Sequence, residues 1–334
     1  MRVAERKKIV ATDMVIPEDL TRRVADAAGG RYTVRLLDQL TDAEKEDVEV
    51  LVVLINGKVT GKLFQEMPNV RLLQSMSAGV DFIDLASIPP QVTLCSNAGA
   101  YRDPIAEHVF GMVLYFGKNL ARNHERLRSG IFEGSTDGIF LREKTVGIIG
   151  AGGIGQSVAR VARAFGMRTI GINTSGRPVE NFDDVWKMER LDDLLREADV
   201  VVVSIPLTNH TRGLIDARRL GLMKETCILV NVARGAIVAQ DALYAHLKAH
   251  PQFRAGIDVW WRYPKSGERF SLDYPFFELP NFLASPHNSD GVPEARGHGQ
   301  QHAFSNVIRY LDGEPLERVV DRADYLGFQP LSGH

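Results

Sequence analysis

Residues Val146-Gly147-Ile148-Ile149-Gly150-Ala151-Gly152-Gly153-Ile154-Gly155 constrain this chain more than any other stretch. An apolar run with the composition of a buried strand passes directly into G-x-G-x-x-G. Helix-forming residues follow at once, from Gln156 to Phe165. The order strand, glycine turn, helix separates a dinucleotide-binding turn from a chance run of glycines or a purely structural turn. In such a turn Gly150 permits the tight reversal, Gly152 lets the main chain approach a pyrophosphate, and Gly155 lets the helix pack close to the strand. The first helical residues, Gly153 and Ile154 among them, then offer N–H groups and the positive end of the helix dipole to the phosphates.

The rest of the composition narrows the setting of that turn. A chain of 334 residues is long enough for two domains, and 44% hydrophobic residues can fill two cores. Charged residues are 25% of the total and nearly balanced, with a net charge of −2. That balance excludes the basic stripe of a nucleic-acid binder and the cationic face of a peripheral membrane protein. The two cysteines, Cys95 and Cys227, both sit in apolar runs and read as inert core thiols in a reducing compartment. Met1 to Lys8 is basic on balance and lacks the apolar stretch of a signal peptide. The longest apolar run, Val200 to Leu207, is too short to span a bilayer. The expectation is a soluble, cytoplasmic protein with neither a membrane nor a nucleic acid as partner.

Strand and helix patterns alternate along most of the chain, which predicts parallel sheets with helices on their faces. The first series of strands is Lys8–Ala11, Tyr32–Leu37, Val50–Ile55, Arg71–Ser75 and Thr93–Cys95, with helices over Glu18–Ala28 and Gly61–Glu66. A long helical pattern follows from Pro104 to about Arg128, apolar nearly all round in its first half and so due to be buried in a core or at an interface. The second series is Val146–Gly150, Arg168–Ile172, Val200–Ile205, Cys227–Val232, Ala255–Val259 and Phe282–Ser285. Six strands suffice for a complete dinucleotide-binding sheet. A last helix, Ala295–Leu311, is expected to return to the first domain. The fold class is α/β in two domains. Residues 1–120 and 291–334 are expected to form one domain, and residues 121–290 a doubly wound Rossmann domain.

Several separate motifs, in order, resemble the D-isomer-specific 2-hydroxyacid dehydrogenase family. They are Lys144-Thr-Val-Gly-Ile-Ile-Gly-Ala-Gly-Gly-Ile-Gly155, Ala198-Asp-Val-Val-Val-Val-Ser-Ile-Pro-Leu-Thr208, Leu229-Val-Asn-Val-Ala-Arg-Gly235, Ala255-Gly-Ile-Asp-Val259 and Ser285-Pro-His287. Weaker matches precede them at Ser77-Ala-Gly-Val-Asp81, Asn97 and Ala106-Glu107. The resemblance implies reversible hydride transfer between a nicotinamide and the second carbon of a 2-keto or (R)-2-hydroxy acid. It implies further that residues 1–120 and 291–334 form a flavodoxin-like substrate domain, that Asp258, Ile205, Pro206 and Val232 border the cofactor, that Ser77, Ala78 and Gly79 offer main-chain contacts to the substrate across a closing cleft, and that the protein is a homodimer. The helix Pro104–Leu120 is a candidate interface.

Two residues carry the chemistry this reaction needs. Arg234 follows a strand at its carboxyl end, where the ligands of such sheets gather, and a guanidinium can grip a substrate carboxylate in a bidentate fork. His287 follows the last strand, and an imidazole titrates near neutrality, so it can give a proton in reduction and take one in oxidation. In isolation either would read as a surface arginine or an ordinary histidine; their motifs decide otherwise.

The departures from the family pattern bear on the substrate. Where the family has Asp-Val-Phe-x-x-Glu-Pro, this chain has Asp258-Val-Trp-Trp-Arg-Tyr-Pro264, so Tyr263 stands where a Glu normally supports the catalytic histidine. A phenol can orient an imidazole but supplies no charge at neutral pH. The expectation is that His287 loses its proton at lower pH than in Glu-containing relatives. The chain also reads His287-Asn-Ser-Asp290, where Asp290 is either a replacement charge or a turn or capping residue. Trp260 and Trp261 are either pocket lining or aromatic packing.

At the end of the second Rossmann strand an NAD site usually carries an acid for the ribose. This chain has Asn173-Thr174-Ser175-Gly176-Arg177. A 2′-phosphate is not repelled there, and Thr174, Ser175 and Arg177 can bind it, so NADP is favoured and NAD remains possible. Arg177 as a solvated loop arginine is the plain alternative. His298 and His302 lie four apart on a helix but lack a third ligand, so no metal site is expected. His108 reads as a satisfied core or interface histidine. Two other classes stay open: a non-enzymatic dinucleotide sensor of the corepressor type, and a dehydrogenase for formate or phosphite. Retention of both Arg234 and His287 argues against the first. Formate enzymes resembling the family carry Gln where this chain has Tyr263, which argues against the second.

Overall fold

The computed structural model describes residues 7–54, 59–134 and 136–325. It divides into two units: Met1–Tyr101 with Val292–His334, and Arg102–Gly291.

In the first unit, strands β1 (Lys8–Thr12), β2 (Tyr32–Leu36), β3 (Val48–Val53), β4 (Leu72–Ser75) and β5 (Thr93–Cys95) form a parallel sheet. Its order is β2-β1-β3-β4-β5, the flavodoxin-like arrangement. Alternate residues of each strand feed opposite cores. Ile9, Leu51, Leu73 and Leu94 join one cluster, while Val10, Val50, Val52 and Leu72 join the other. Of the helices in this half, α1 (Glu18–Asp26) brings Leu20 and Val24 to the second cluster and α3 (Gly61–Glu66) brings Phe64 to the first. The short α2 (Asp42–Lys45) starts at a capping box in which Thr41 and Glu44 satisfy each other's main-chain N–H groups. The strand expected over Val50–Ile55 begins two residues earlier and ends at Val53, and Ile55 lies outside the described residues.

The second unit opens with α4 (Arg102–Gly117) and α5 (Leu120–Arg128). The single long helix expected here is broken at Asn119, whose φ of 50° is left-handed. β6 (Thr145–Ile149), α6 (Gly153–Ala164), β7 (Arg168–Ile172), β8 (Asp184–Trp186), α7 (Leu191–Glu197), β9 (Val200–Val203), α8 (Ala217–Leu220), β10 (Ile228–Asn231), α9 (Gln240–Ala249), β11 (Arg254–Ile257) and β12 (Phe282–Ala284) follow. The sheet is parallel throughout, in the order β12-β11-β10-β9-β6-β7-β8. This is the doubly wound Rossmann order with one strand added at the edge, and the direction of winding reverses between β6 and β9. Seven strands replace the six expected from sequence. The extra one, β8, is three half-buried residues long and leaves no apolar run to read.

α4 is buried on Ile105, Ala106, Val109, Phe110, Met112, Val113 and Phe116, and it packs against α6, β10 and β11 of its own unit. Phe110 stacks on Phe165 at 5.2 Å. A methyl group on Gly256 of β11 would meet Met112 Sδ at 2.7 Å, which is why the strand has a glycine where the helix crosses it. The unit boundary therefore falls at 101/102 rather than at 120. Of α4, offered by the sequence as a candidate interface, Leu114 and Tyr115 are half-buried and Glu107 and Gly111 exposed. α10 (Ala295–Leu311) belongs to the first unit, where Phe304 and Val307 enter the second of its clusters and the helix packs on α1 and β4. Burial of a side chain such as Phe304 contributes about 2–3 kcal/mol. Among the described residues no helix is long and apolar enough to cross a membrane.

Candidate active site

The glycine turn between β6 and α6 has the shape its sequence requires. Gly150 has φ of +110°, and a Cβ there would lie 2.8 Å from the main chain of Ser204. A Cβ on Gly155 would lie 2.1 Å from Gly150 O. Both positions are closed to any side chain, and strand, turn and helix lock together through them. Gly152 is different: a Cβ there meets nothing within 4 Å. Gly152 is the N-cap of α6 and offers no side-chain bond to the helix, so the cap leaves the first-turn N–H groups without a side-chain acceptor beside open space. Gly153, Ile154 and Gly155 supply that turn. The opening and its donors fit a pyrophosphate. Ile205 and Pro206 follow β9 beside it, half-buried and exposed respectively, and Val232 is buried just past β10.

The turn after β7 is built by Asn173. Its Oδ1 accepts from the N–H groups of Gly176 (2.6 Å) and Ser175 (3.1 Å), and its Nδ2 donates to Arg177 O (3.2 Å). Ser175 Oγ accepts from Arg177 N–H at 3.2 Å. The Asn173 side chain is thus committed to the turn and presents Thr174, Ser175 and Arg177 around it. The stem of Lys187, just past β8, crosses Gly176, where an added Cβ would meet Lys187 Cγ at 2.8 Å. Nearby arginines are neutralised: Arg163 by Asp183, Arg168 by Asp184 and Glu197, and Arg190 by Asp193. Among the described residues no carboxylate pairs with Arg177 or Lys187. Lys187 was missed in the sequence because only the neighbouring strand brings it to this turn.

Arg234, Asp258 and His287 leave the carboxyl ends of β10, β11 and β12, three neighbouring strands. Asn231 folds the segment after β10: its Nδ2 donates to Arg234 O (2.9 Å) and its Oδ1 accepts from Ala233 N–H (3.0 Å). Gly235 follows because a Cβ there would lie 2.3 Å from the main-chain carbon of Trp260. Arg234 is half-buried and donates to Ala233 O at 2.7 Å.

Asp258 is fully buried. Its Oδ1 accepts from Ser285 Oγ (2.6 Å) and from Asn288 N–H (3.0 Å), and its Oδ2 accepts from Ser289 N–H (3.1 Å). The loop after β12 wraps around this carboxylate. His287 sits at φ +55°, a left-handed conformation unusual for a side-chain-bearing residue, and it turns the next two N–H groups toward Asp258. Holding His287 there costs on the order of 1–2 kcal/mol, which the charge-assisted bonds offset.

Tyr263 packs beside His287, with ring centroids 5.4 Å apart and tilted by 38°. Its hydroxyl oxygen accepts from Trp260 N–H at 3.2 Å. Of the two readings of the tryptophans, packing describes the structure. Trp260 Nε1 donates to Ser285 O (3.1 Å) and Trp261 Nε1 to Val238 O (2.6 Å). Their rings lie among Phe270, Phe276, Phe277 and Phe282. Asp290 lies in the turn closed by Gly291 N–H on Asn288 O, and α10 starts at Ala295, so Asp290 does not cap that helix. Burial, with the charge of Asp258 adding to it, raises the Asp290 carboxyl above its ordinary range.

Ser77, Ala78 and Gly79 belong to the first unit, half-buried in the loop after β4. Ser77 N–H donates to Ser75 Oγ, and Ser77 O accepts from Asn97 N–H. Asn97 is fully buried and ties this loop to α10: its Nδ2 donates to Met76 O and Gly299 O, and its Oδ1 contacts His302 Nδ1 at 2.7 Å. His302 is therefore engaged with Asn97. Burial pushes the Cys227 thiol up to about 12, and Cys95 is buried as well, so both thiols are inert.

A doubly wound sheet, an open phosphate cradle and an arginine and a histidine at one sheet edge define a dinucleotide-dependent oxidoreductase of the α/β class. The model of the D-isomer-specific 2-hydroxyacid dehydrogenase NAD-binding domain matches residues 110–289, and the chain belongs to this family. It is an NAD(P)-dependent 2-hydroxyacid dehydrogenase. Its relatives include a glyoxylate reductase of Thermococcus kodakarensis, 33% identical over 287 residues, covering 83% of this chain and 84% of that one. Among solved structures, it is similar to an NADPH-dependent glyoxylate/hydroxypyruvate reductase from Sinorhizobium meliloti in complex with NADP and sulfate. That match has 26% identity and a TM-score of 0.76, covering 95% of this chain and 99% of the other. It is also similar to a D-lactate dehydrogenase from Aquifex aeolicus complexed with NAD and lactic acid. Here identity is 25% and the TM-score 0.69, covering 92% and 96% of the two chains.

Proposed function

We propose that this protein reduces small 2-keto acids such as glyoxylate to (R)-2-hydroxy acids, with NADPH as the preferred reductant. The observation that carries the reading is the convergence of Arg234, Asp258 and His287 on one edge of the sheet that holds the glycine cradle. Arg234 binds the substrate carboxylate in a fork and draws electron density from the keto group. His287, fixed by the loop around Asp258, gives its proton to the keto oxygen as the second carbon is reduced. When bound, a reduced nicotinamide would supply the hydride. Tyr263 orients the imidazole by packing against it and adds no charge.

Gly150, Gly152, Gly153, Ile154 and Gly155 hold the pyrophosphate, with Ile205, Pro206 and Val232 along the same edge. Thr174, Ser175 and Arg177, joined by Lys187, take the 2′-phosphate. The unpaired cations beside Gly176 and the NADP of the Sinorhizobium relative support this preference. NAD, present in the Aquifex relative, is the weaker cofactor in this reading. We assign the protein to the cytoplasm and to a homodimer formed through exposed apolar residues around α5.

The test is oxidation of NADPH and of NADH with glyoxylate, hydroxypyruvate, pyruvate and phenylpyruvate, with the chirality of the product determined. Turnover with NADPH and an (R)-product is expected. Tight dinucleotide binding without turnover on any acid would overturn the reading.

A further inference from the structure

Ser285 occupies a position that the reaction as described does not use. It directly follows β12, two residues before His287, and its Oγ donates to Asp258 Oδ1 at 2.6 Å. A hydroxyl has one hydrogen, and this one is committed to the carboxylate. His108 Nε2 lies 2.9 Å from the same oxygen. In that contact Ser285 accepts, so His108 is the donor and carries its hydrogen on Nε2. His108 comes from the middle of α4 and is 26% exposed at its side chain, while Asp258 is 0% exposed. The direct separation of His108 Nε2 from Asp258 Oδ1 is 3.9 Å, so the serine is the shorter route.

The geometry points to a relay, His108 to Ser285 to Asp258, that positions the catalytic imidazole of His287. The carboxylate of Asp258 is the centre around which the His287 loop closes, since both of its oxygens accept main-chain N–H groups from Asn288 and Ser289. Those bonds hold His287 in its left-handed conformation at φ +55°. The orientation of the carboxylate plane therefore sets the direction in which the imidazole leaves the loop. Oδ1 takes Asn288 N–H at 3.0 Å and, as the shorter bond, Ser285 Oγ at 2.6 Å. Ser285 thus adds a side-chain tie on that oxygen, and His108, polarising the hydroxyl, strengthens it. The second element enters because α4 packs across β10 and β11, so the relay also ties the loop to the helix that covers the sheet. Ser285 and His108 are positioning residues. Neither touches substrate or cofactor in this role. Proton transfer through a donor needs the heavy atoms within hydrogen-bond reach, and small rotations of the donor slow that step without weakening binding.

This inference rests on His287 as the proton carrier, and the experiment separates the two. His108→Phe keeps the ring volume and removes the donor, Ser285→Ala removes the hydroxyl, and Ser285→Thr retains it. His287→Asn is the control for the underlying reading. With NADPH and a keto acid that the protein turns over, kcat is expected to fall about 10-fold in Ser285→Ala and about 3- to 10-fold in His108→Phe. KM values for both substrates should stay within about twofold. The solvent deuterium isotope effect on kcat should rise in both variants as the proton step becomes slower, and Ser285→Thr should restore kcat. Unchanged kcat and isotope effect in His108→Phe and Ser285→Ala, with His287→Asn inactive, would overturn the relay alone. A parallel loss of Tm, KM and kcat that threonine does not restore would also overturn it, as a purely structural contact. An active His287→Asn would overturn the proton-carrier reading itself.

Discussion

At the scale of single residues the account rests on a few side chains whose removal has distinct signatures. Arg234→Ala should lower kcat/KM for a keto acid by ~10²–10³-fold while leaving dinucleotide binding intact, since it removes the charged partner of the carboxylate. Titration of NADPH by fluorescence alongside the kinetics checks both halves. Tyr263→Glu places a carboxylate beside His287, which favours the imidazolium. The proton then stays on the ring to higher pH, and reduction, which needs it, should persist to higher pH than in the unaltered protein. A pH–rate profile whose alkaline limb does not move would contradict this. At the adenosine end, Arg177→Ala combined with Lys187→Ala should raise KM for NADPH by about 10- to 100-fold and leave that for NADH nearly unchanged. The places of Arg234 and His287 after β10 and β12 were legible in the sequence because each lies in a short motif following an apolar strand. Ser285 and His108 were not legible together. They are 177 positions apart and meet only because α4 crosses the sheet. The roles of the tryptophans were open for a similar reason: indole N–H groups reveal their partners only when a carbonyl is placed against them.

Among the elements, the strongly periodic ones were read from sequence and the weak ones were not. Near-continuous apolar runs gave β6, β7, β9 and β10, because strands covered on both faces have no polar side. β8 has no such run and is defined by its pairing with β7. α4 was read as apolar nearly all round and due for a core or an interface, and its buried residues pack with the second unit, whereas Glu107 and Gly111 stay exposed. α9 carries a prediction of its own. His246 lies against His250, ring centroids 4.3 Å apart and tilted by 32°, and meets Phe253 edge-on, and burial, with His250 adding to it, pushes its imidazole down to about 4 from an ordinary 6.5. The unfolded chain therefore binds the proton first as pH falls. Stability is intact above about pH 6.5 and declines progressively toward about pH 4, where the penalty is complete. Thermal melts over that window should show a smaller drop in Tm for His246→Phe than for the unaltered protein. Equal slopes would rule out His246 as the source.

For the molecule as a whole, the two sheets were legible as a flavodoxin-like and a Rossmann-type series, while the position of the boundary was not. The sequence offered α4 as a candidate interface, and the structure buries seven of its apolar side chains while Leu114 and Tyr115 are half-buried. Five of the exposed large apolar residues lie just beyond it: Leu120 and Leu127 on α5, then Ile131, Phe132 and Phe140, with Phe132 92% exposed. A concentration of this kind on a dehydrogenase fold is the signature of a protein partner, and a second copy is the one proposed here. Light scattering should give a dimer, and Phe132→Glu with Phe140→Glu should give a monomer that still binds dinucleotide. A monomer before substitution would refute the assignment. The most direct test of the central claim is the initial rate of NADPH oxidation with glyoxylate, compared between the unaltered protein and Arg234→Ala at equal concentrations. The account predicts turnover that falls by ~10²-fold or more when the guanidinium is removed. Equal rates in the two proteins would contradict it, because the carboxylate anchor at the edge of the sheet would then play no part in the reaction.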